Sequence, residues 1–291
     1  MTDDPRALLR QYDLKPRKSL GQNFLVDPNK PARIAAQAAL TRDDTVLEVG
    51  AGLGTLTAAL ADQAGRVIAV ETDPHLVSIL HQEMAAFENV AIVHGDILEL
   101  DPAALLDVTP TPVMPLWGTR LPHYYVVANL PYYITAAVLR HLLEATVRPA
   151  RMVVTVQREV AKRMVAIPNA MSVLAMSVQF YGKPRIAMRL KRGVFFPVPD
   201  VESAVVCIDL HETPPVPVAD VAEFFRVVRA GFSQRRKQLR NSLAAGLRLP
   251  PEDVVAALAS VDVDATRRAE TLTLEEWGMV TGALRPLMAR A

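Results

Sequence analysis

The sequence predicts an α/β fold, a mostly parallel sheet layered with helices, followed by a small α-helical domain. Three observations carry that expectation. Short, apolar, β-branched runs alternate with helix-period segments from residue 45 to residue 166, which is the signature of βαβ units. A glycine-rich turn, Gly50-Ala51-Gly52-Leu53-Gly54, joins the first of these runs to its helix. Beyond Pro214, Pro215 and Pro217, which read as a semi-rigid linker, the pattern from Asp220 to Ala291 is helical with no convincing strand.

Taken in order, residues 1–30 form a polar arm bearing Arg6, Arg10, Lys15, Arg17 and Lys18. A helix is expected over 31–39, a strand over 45–49 and a helix over 55–64. A strand at 66–70, a helix at 74–86 and a strand at 90–93 follow. The run Thr109–Pro122 holds four prolines and no periodicity, so it reads as a surface loop. Then come a strand at 124–128, a helix at 134–145, a strand at 151–156 and a helix at 158–166. Two last strands are expected at 187–190 and 203–210. The domain boundaries that result are an arm (1–30), a sheet domain (31–212) and a helical domain (213–291).

Composition bounds the function. A chain of 291 residues, 51% hydrophobic and 22% charged, can bury a sizeable core. Cys207 is the single cysteine, which excludes internal disulfides and Cys-x-x-Cys metal sites and fits a reducing compartment. The N-terminus is charged from its third residue, unlike a signal peptide, and no run approaches 18 apolar residues, so a cytoplasmic protein is expected. The six histidines form neither HxxxH nor HExxH, so no metal is expected. Net charge is +1, yet the cations are clustered. Arg148 to Arg192 holds ten basic residues and one acid, and Gly231 to Arg248 holds five and none. One such run is commonly a solvated surface; two of them point to nucleic acid.

The chemistry is expected at the carboxyl ends of the strands, where open α/β sheets bind ligands. Glu71 follows Gly50 by 21 residues, near the offset of an acid that grips ribose hydroxyls. Thr55 stands where a dinucleotide fingerprint needs glycine or alanine, so S-adenosylmethionine suits the loop better than a nicotinamide dinucleotide. Taken alone, the glycines fit a plain tight turn equally well. Asp96, in VHGDI, is an acceptor at the same edge, suited to the adenine amine of the cofactor or to a turn.

The fourth strand runs into Asn129-Leu130-Pro131-Tyr132-Tyr133. An exocyclic amine on an aromatic base is a poor nucleophile, because its lone pair is delocalised into the ring. The Asn129 side-chain oxygen and the Leu130 carbonyl, both accepting from that amine, would favour pyramidal nitrogen. Pro131 would fix the bend, and Tyr132 would stack on the ring. Positioning and electrostatics then supply the catalysis, with no metal and no protein nucleophile. The plainer alternative is a helix start with packed tyrosines. Phe195-Phe196-Pro197-Val198-Pro199 makes a rigid aromatic corner that suits either an extruded base or core packing.

LGQNFLVD, EVGAGLGTLT, ETD, GDI, NLPYYI, FFPVPDVESAVV and FSQRRKQLRNSL, in this order and over about residues 12 to 245, resemble the ribosomal RNA adenine N6-dimethyltransferases. The likeness is nearest to the branch that modifies the small ribosomal subunit. The resemblance implies a class I S-adenosylmethionine-dependent methyltransferase, a Rossmann-like seven-stranded sheet with the last strand antiparallel, and a C-terminal helical domain. It implies dimethylation of two adjacent adenines in a hairpin loop near the 3′ end of 16S rRNA during small-subunit assembly, by a monomer.

Residue by residue, the resemblance implies cofactor contacts at Asn23, Leu25, Gly50, Gly52, Glu71, Asp96 and Asn129. It implies catalytic roles for Asn129, Leu130, Pro131 and Tyr132, and a stacking aromatic at Phe195. Gln22 and Phe24 complete an arm that closes over the cofactor. Gln234-Arg235-Arg236-Lys237 matches a basic helix, with Arg240 beyond it, suited to the rRNA backbone. Two stretches depart from the family: Asn169–Leu174, where a glycine-containing segment is usual, and the long Thr109–Pro122 loop. The rivals are the 23S rRNA dimethylase of macrolide resistance and a ribosome-assembly or transcription factor that keeps the fold without the chemistry.

Overall fold

The computed structural model describes residues 5–17, 20–107 and 124–289. Lys18 and Ser19 of the arm and the Thr109–Pro122 run lie outside them. The chain divides into two compact units, one comprising residues 1–161 with 183–210 and the other 162–182 with 211–291.

The first unit begins with α1 (Pro5–Gln11), β1 (Phe24–Leu25) and α2 (Lys30–Ala35). The arm is therefore not simply polar: Leu8 and Leu9 are buried on α1. There follow β2 (Thr45–Val49), α3 (Thr55–Ala61), β3 (Arg66–Glu71), α4 (Pro74–Glu83), β4 (Val90–His94) and α5 (Pro102–Leu105). The unit continues with β5 (Tyr124–Asn129), α6 (Thr135–Leu143), β6 (Arg151–Gln157) and α7 (Arg158–Met164), which reaches into the second unit. It ends with β7 (Gly182–Leu190), β8 (Phe195–Phe196) and β9 (Ser203–Leu210).

Seven of these strands form one sheet in the order β4-β3-β2-β5-β6-β9-β7. Strands β2 to β6 pair in parallel, and β9 is antiparallel to β6. All seven expected strands are present. Strand β7 starts five residues before its expected position, because Gly182, Lys183 and Pro184 read as breakers; at the edge of a sheet a proline costs no ladder bond. The central strands are buried along most of their length, as a parallel sheet covered on both faces requires. Strand order reverses between β2 and β5, so their carboxyl ends flank a crevice.

The second unit holds α8 (Val173–Tyr181), α9 (Val221–Phe232), α10 (Leu239–Leu247), α11 (Pro251–Ala259) and α12 (Leu274–Met288). Helix α8 was not expected; its sequence VLAMSVQFY is apolar nearly all round and leaves no period to read. It stacks Phe180 on Phe224 of α9 at 4.8 Å, so residues 162–182 belong with the helical unit and not with the sheet domain. Gly231 lets α9 approach Trp277 of α12: a Cβ there would lie 2.2 Å from the indole. The unusual Asn169–Leu174 segment leads into α8. Asn169 takes φ +80, a conformation asparagine adopts more readily than most residues, and Ser172 caps the helix through Ala175 N.

Candidate active site

The cavity at the sheet edge lies wholly in the first unit. It starts where β2 ends. Gly50, Gly52 and Gly54 have φ of +74, +61 and +82, so each occupies the left-handed region that side chains disfavour. The Gly50 amide donates to Val70 O of β3 at 2.9 Å, holding the turn against the neighbouring strand. A Cβ on Gly52 would meet the Phe24 ring at 3.3 Å, so the arm closes on the turn where only glycine fits. The position where a Cβ on Gly50 would stand is 4.0 Å from the Asn129 backbone oxygen, which puts the two main sequence motifs side by side.

Glu71 ends β3. Its carboxylate accepts from the amides of Gly52 at 2.8 Å and of Thr72 and Asp73, both at 2.9 Å. Burial pushes this carboxyl up, the three amides oppose that, and Asp73 adds to it. Asp73 caps α4 through His75 N and also accepts from Gln22 Nε2 at 3.0 Å and Arg17 Nη1 at 3.4 Å. The arm is thus tied to the residue two places beyond the ribose-type acid. Asp96 uses one oxygen in a turn, accepting from Leu98 N at 2.9 Å, and borders the cavity with Ile97.

Asn129 ends β5. Its Nδ2 donates to the Asn23 backbone carbonyl at 2.9 Å. That bond fixes the amide so that Oδ1 is the atom left to accept. Among the described residues no group donates to the Leu130 carbonyl either. Thr135 Oγ1 and Ile134 N both donate to Pro131 O, which holds the bend. The Tyr132 hydroxyl lies 2.7 Å from Ser203 Oγ; burial pushes that phenol up and the serine opposes it. Tyr133 stands at the rim, 63% exposed.

Asn23, Leu25, Gly50, Gly52, Glu71, Asp96, Asn129, Leu130, Pro131 and Tyr132 all line one cavity. Phe195 does not. Its ring is 1% exposed, packed in the core with Leu25 and Leu190, because β8 pairs with β1 and sets Phe195 opposite Leu25. Phe196 faces the other way, under the Arg6 guanidinium at 5.5 Å. In the second unit Arg235, Arg236, Lys237 and Arg240 are exposed, but the first three sit in a turn and not on the expected basic helix. Helix α9 ends at Phe232, and Ser233 Oγ donates to Ala230 O; the chain restarts only at Leu239, whose amide donates to Arg267 O.

Two site residues escaped the sequence reading. Ser203, fully buried, ties the proline-rich motif to Tyr132. Glu48, in the middle of β2, borders the cavity at 1% exposure, and among the described residues its Oε2 has no hydrogen-bond partner. Burial pushes its carboxyl up to about 8; Thr57 opposes this and the Glu71 charge adds to it. The signal for Glu48 was present, a lone acid inside an otherwise apolar buried strand.

A glycine turn, an acid ending the next strand and a crevice at the switch point of a mostly parallel sheet define a class I methyltransferase. The ribosomal RNA adenine dimethylase family model matches residues 13–282, and the chain belongs to that family. Among similar proteins, the ribosomal RNA small subunit methyltransferase A of Dehalococcoides mccartyi is 44% identical over 94% of this chain and 90% of its own. That of Moorella thermoacetica is 44% identical over 96% of each. The crystal structure of the 23S rRNA methyltransferase ErmE superposes with a TM-score of 0.67 at 27% identity, covering 90% of this chain and 99% of that one. A dimethyladenosine transferase from Plasmodium falciparum shares the fold, with a TM-score of 0.73 at 22% identity over 89% of this chain and 96% of its own.

Proposed function

We propose that this methyltransferase dimethylates the N6 amines of two adjacent adenines in the 3′-terminal hairpin loop of 16S rRNA, in the small ribosomal subunit, with S-adenosylmethionine as methyl donor. The observation that carries the reading is the Asn129 amide. With Nδ2 committed to Asn23 O, its Oδ1 and the Leu130 carbonyl form a pair of acceptors at the end of β5. Such a pair matches the two hydrogens of one exocyclic amine. Accepting from both localises the nitrogen lone pair, and preorganised acceptors of this kind are worth most in a site shielded from water.

The cavity's residues fit the donor. The glycine turn leaves backbone open to close approach. Glu71 suits ribose hydroxyls, Asp96 an adenine amine, and the unpartnered Glu48 oxygen, on a carboxyl kept neutral by burial, a hydrogen-bonding group. When bound, the donor supplies an electrophilic methyl on a sulfonium. The arm residues Gln22 to Leu25 line the same cavity and, tied to Asp73, exclude water from it. In this reading residues 1–30 are the closing arm, residues 31–161 with 183–210 carry the transfer, and residues 162–182 with 211–291 bind RNA. Phosphates lie on exposed cations such as Arg235, Arg236, Lys237 and Arg240, contacts that position RNA without reading its sequence. The enzyme works as a monomer in the cytoplasm; among the described residues no helix is long and apolar enough to cross a membrane.

The test is to incubate the protein with labelled donor and, in separate reactions, undermethylated 30S particles and unmethylated 23S rRNA, then map the label. Label on paired adenines of the 3′-terminal loop is the expected result. Label only on 23S rRNA from the large subunit would assign the chain to the other branch, and no affinity for the donor would leave a binding protein.

A further inference from the structure

The edge strand β7 carries a row of cations that the site above does not use. Lys183, Arg185 and Arg189 occupy alternate positions of the strand with Ala187 between them, and Lys191 follows one residue past its end in extended conformation (φ −70, ψ 153). Side chains two residues apart project from the same face, so all four point one way. All four are exposed. Among the described residues none has a carboxylate within salt-bridge distance, whereas the nearby arginines do: Arg151 pairs with Asp209 and Arg158 with Glu202. On the opposite face Met188 and Leu190 pack into the core while Ile186 is exposed, and Ala187 in the gap of the cation row touches the same core.

We propose that this outer face of β7 is a phosphate track for the RNA strand that leads to the cavity. Adjacent positions on the face are about 6.6 Å apart, close to one sugar–phosphate repeat of an extended strand, and the row spans about 26 Å at that rise. A line of positive charge with no described carboxylate at salt-bridge distance, two adjacent pairs separated by a gap at Ala187, matches the phosphates of a polyanion, and phosphate contacts position a strand without reading its sequence. The direction fits as well. The chain passes from Lys191 through Arg192 into β8, which pairs with β1, and Leu25 of β1 lines the cavity.

Charges on an edge strand have a second use, since lysine and proline there discourage edge-to-edge association. Edge protection is indifferent to the sign of the charge and phosphate binding is not, which separates the two roles. The track rests on the rRNA reading, so wild-type protein must first label 30S particles; failure there removes that reading, independently of β7. The variants are Lys183→Gln/Arg185→Gln/Arg189→Gln/Lys191→Gln and the charge-reversed Arg185→Glu/Arg189→Glu, titrated with undermethylated 30S particles from 50 to 300 mM salt.

Each phosphate contact contributes about 0.7–0.9 to the slope of log affinity against log salt. The fourfold variant is expected to lower that slope by about 3 and to weaken binding more than tenfold at the lowest salt. The reversed variant, monomeric and soluble, is expected to bind more weakly still, and both are expected to bind S-adenosylmethionine as wild type does. An unchanged slope in the reversed variant, or aggregation of the fourfold variant beside normal RNA binding by the reversed one, would overturn the track and leave edge protection as the role of these cations.

Discussion

Asn129–Tyr133 and Phe195–Pro199 look alike in the sequence, each setting aromatic rings beside proline. The tertiary structure gives them opposite tasks. At Asn129 the chain has just left β5, and the amide, the Leu130 carbonyl and Tyr132 all border the cavity. At Phe195 the chain is held as β8 against β1, and since neighbouring side chains on a strand face opposite ways, Phe196 goes towards the arm and Phe195 into the core. A proline beside an aromatic predicts a stiff bend. It does not say on which side of the bend the ring lies. The two are nonetheless joined just beyond Pro199, where Ser203 at the start of β9 meets Tyr132.

If the contrast holds, the two stretches fail in different assays. Phe195→Ala is expected to cost about 3–5 kcal/mol of stability, as for other large buried rings, read as a lowered denaturation midpoint. Near-wild-type stability together with a raised KM for RNA would return Phe195 to the substrate side. Asn129→Ala is expected to lower kcat about 10²–10³-fold, the usual loss for one preorganised polar group, while the midpoint moves little and the donor still binds measurably. Turnover close to wild type would remove the amide from the chemistry.

Glu48 sharpens the comparison from beneath the glycine turn. Its carboxyl stays protonated up to about 8 in the folded chain against an ordinary 4.5. Its contribution is therefore complete below pH 4.5 and is lost as pH rises towards 8. Between pH 5 and 7 this amounts to at most about 2.7 kcal/mol, at about 1.4 kcal/mol per pH unit. Glu48→Gln is expected to flatten that part of the stability curve in urea titrations; an equally steep curve would mean that the carboxyl is ionised and paired. The smallest effect is expected from Tyr132→Phe, which keeps the ring and loses one hydrogen bond to Ser203, about 1 kcal/mol. Transfer within a few-fold of wild type is expected, and a loss as large as that of Asn129→Ala would make the hydroxyl part of the chemistry.

Much of the site was legible because its residues carry local signatures. Gly50, Gly52 and Gly54 are needed by backbone conformation, and Glu71 and Asn129 end strands whose apolar runs are plain in the sequence. Helix α8 and the first residues of β7 were not legible. An apolar helix has no face to detect, and Pro184 is tolerated only because β7 lies at the sheet edge. The basic stretch at Arg235 was legible as charge but not as a turn, since the chain beyond it is fixed by bonds from Leu239 and Arg240 to the carbonyls of Arg267 and Ala265, 28 and 25 positions away.

The strand-and-helix alternation, the glycine turn, the acid ending β3 and the asparagine ending β5 could be read from the amino acids alone, because each is enforced by residues within a few positions of it. Tertiary packing alone sets Asn129 against Asn23, leaves Glu48 Oε2 without a partner among the described residues, anchors Tyr132 on Ser203 and turns Phe195 inward. Those contacts join residues 71 to 170 positions apart. Burial and hydrogen-bond geometry exist only once the strands have chosen their neighbours, and no local pattern encodes that choice.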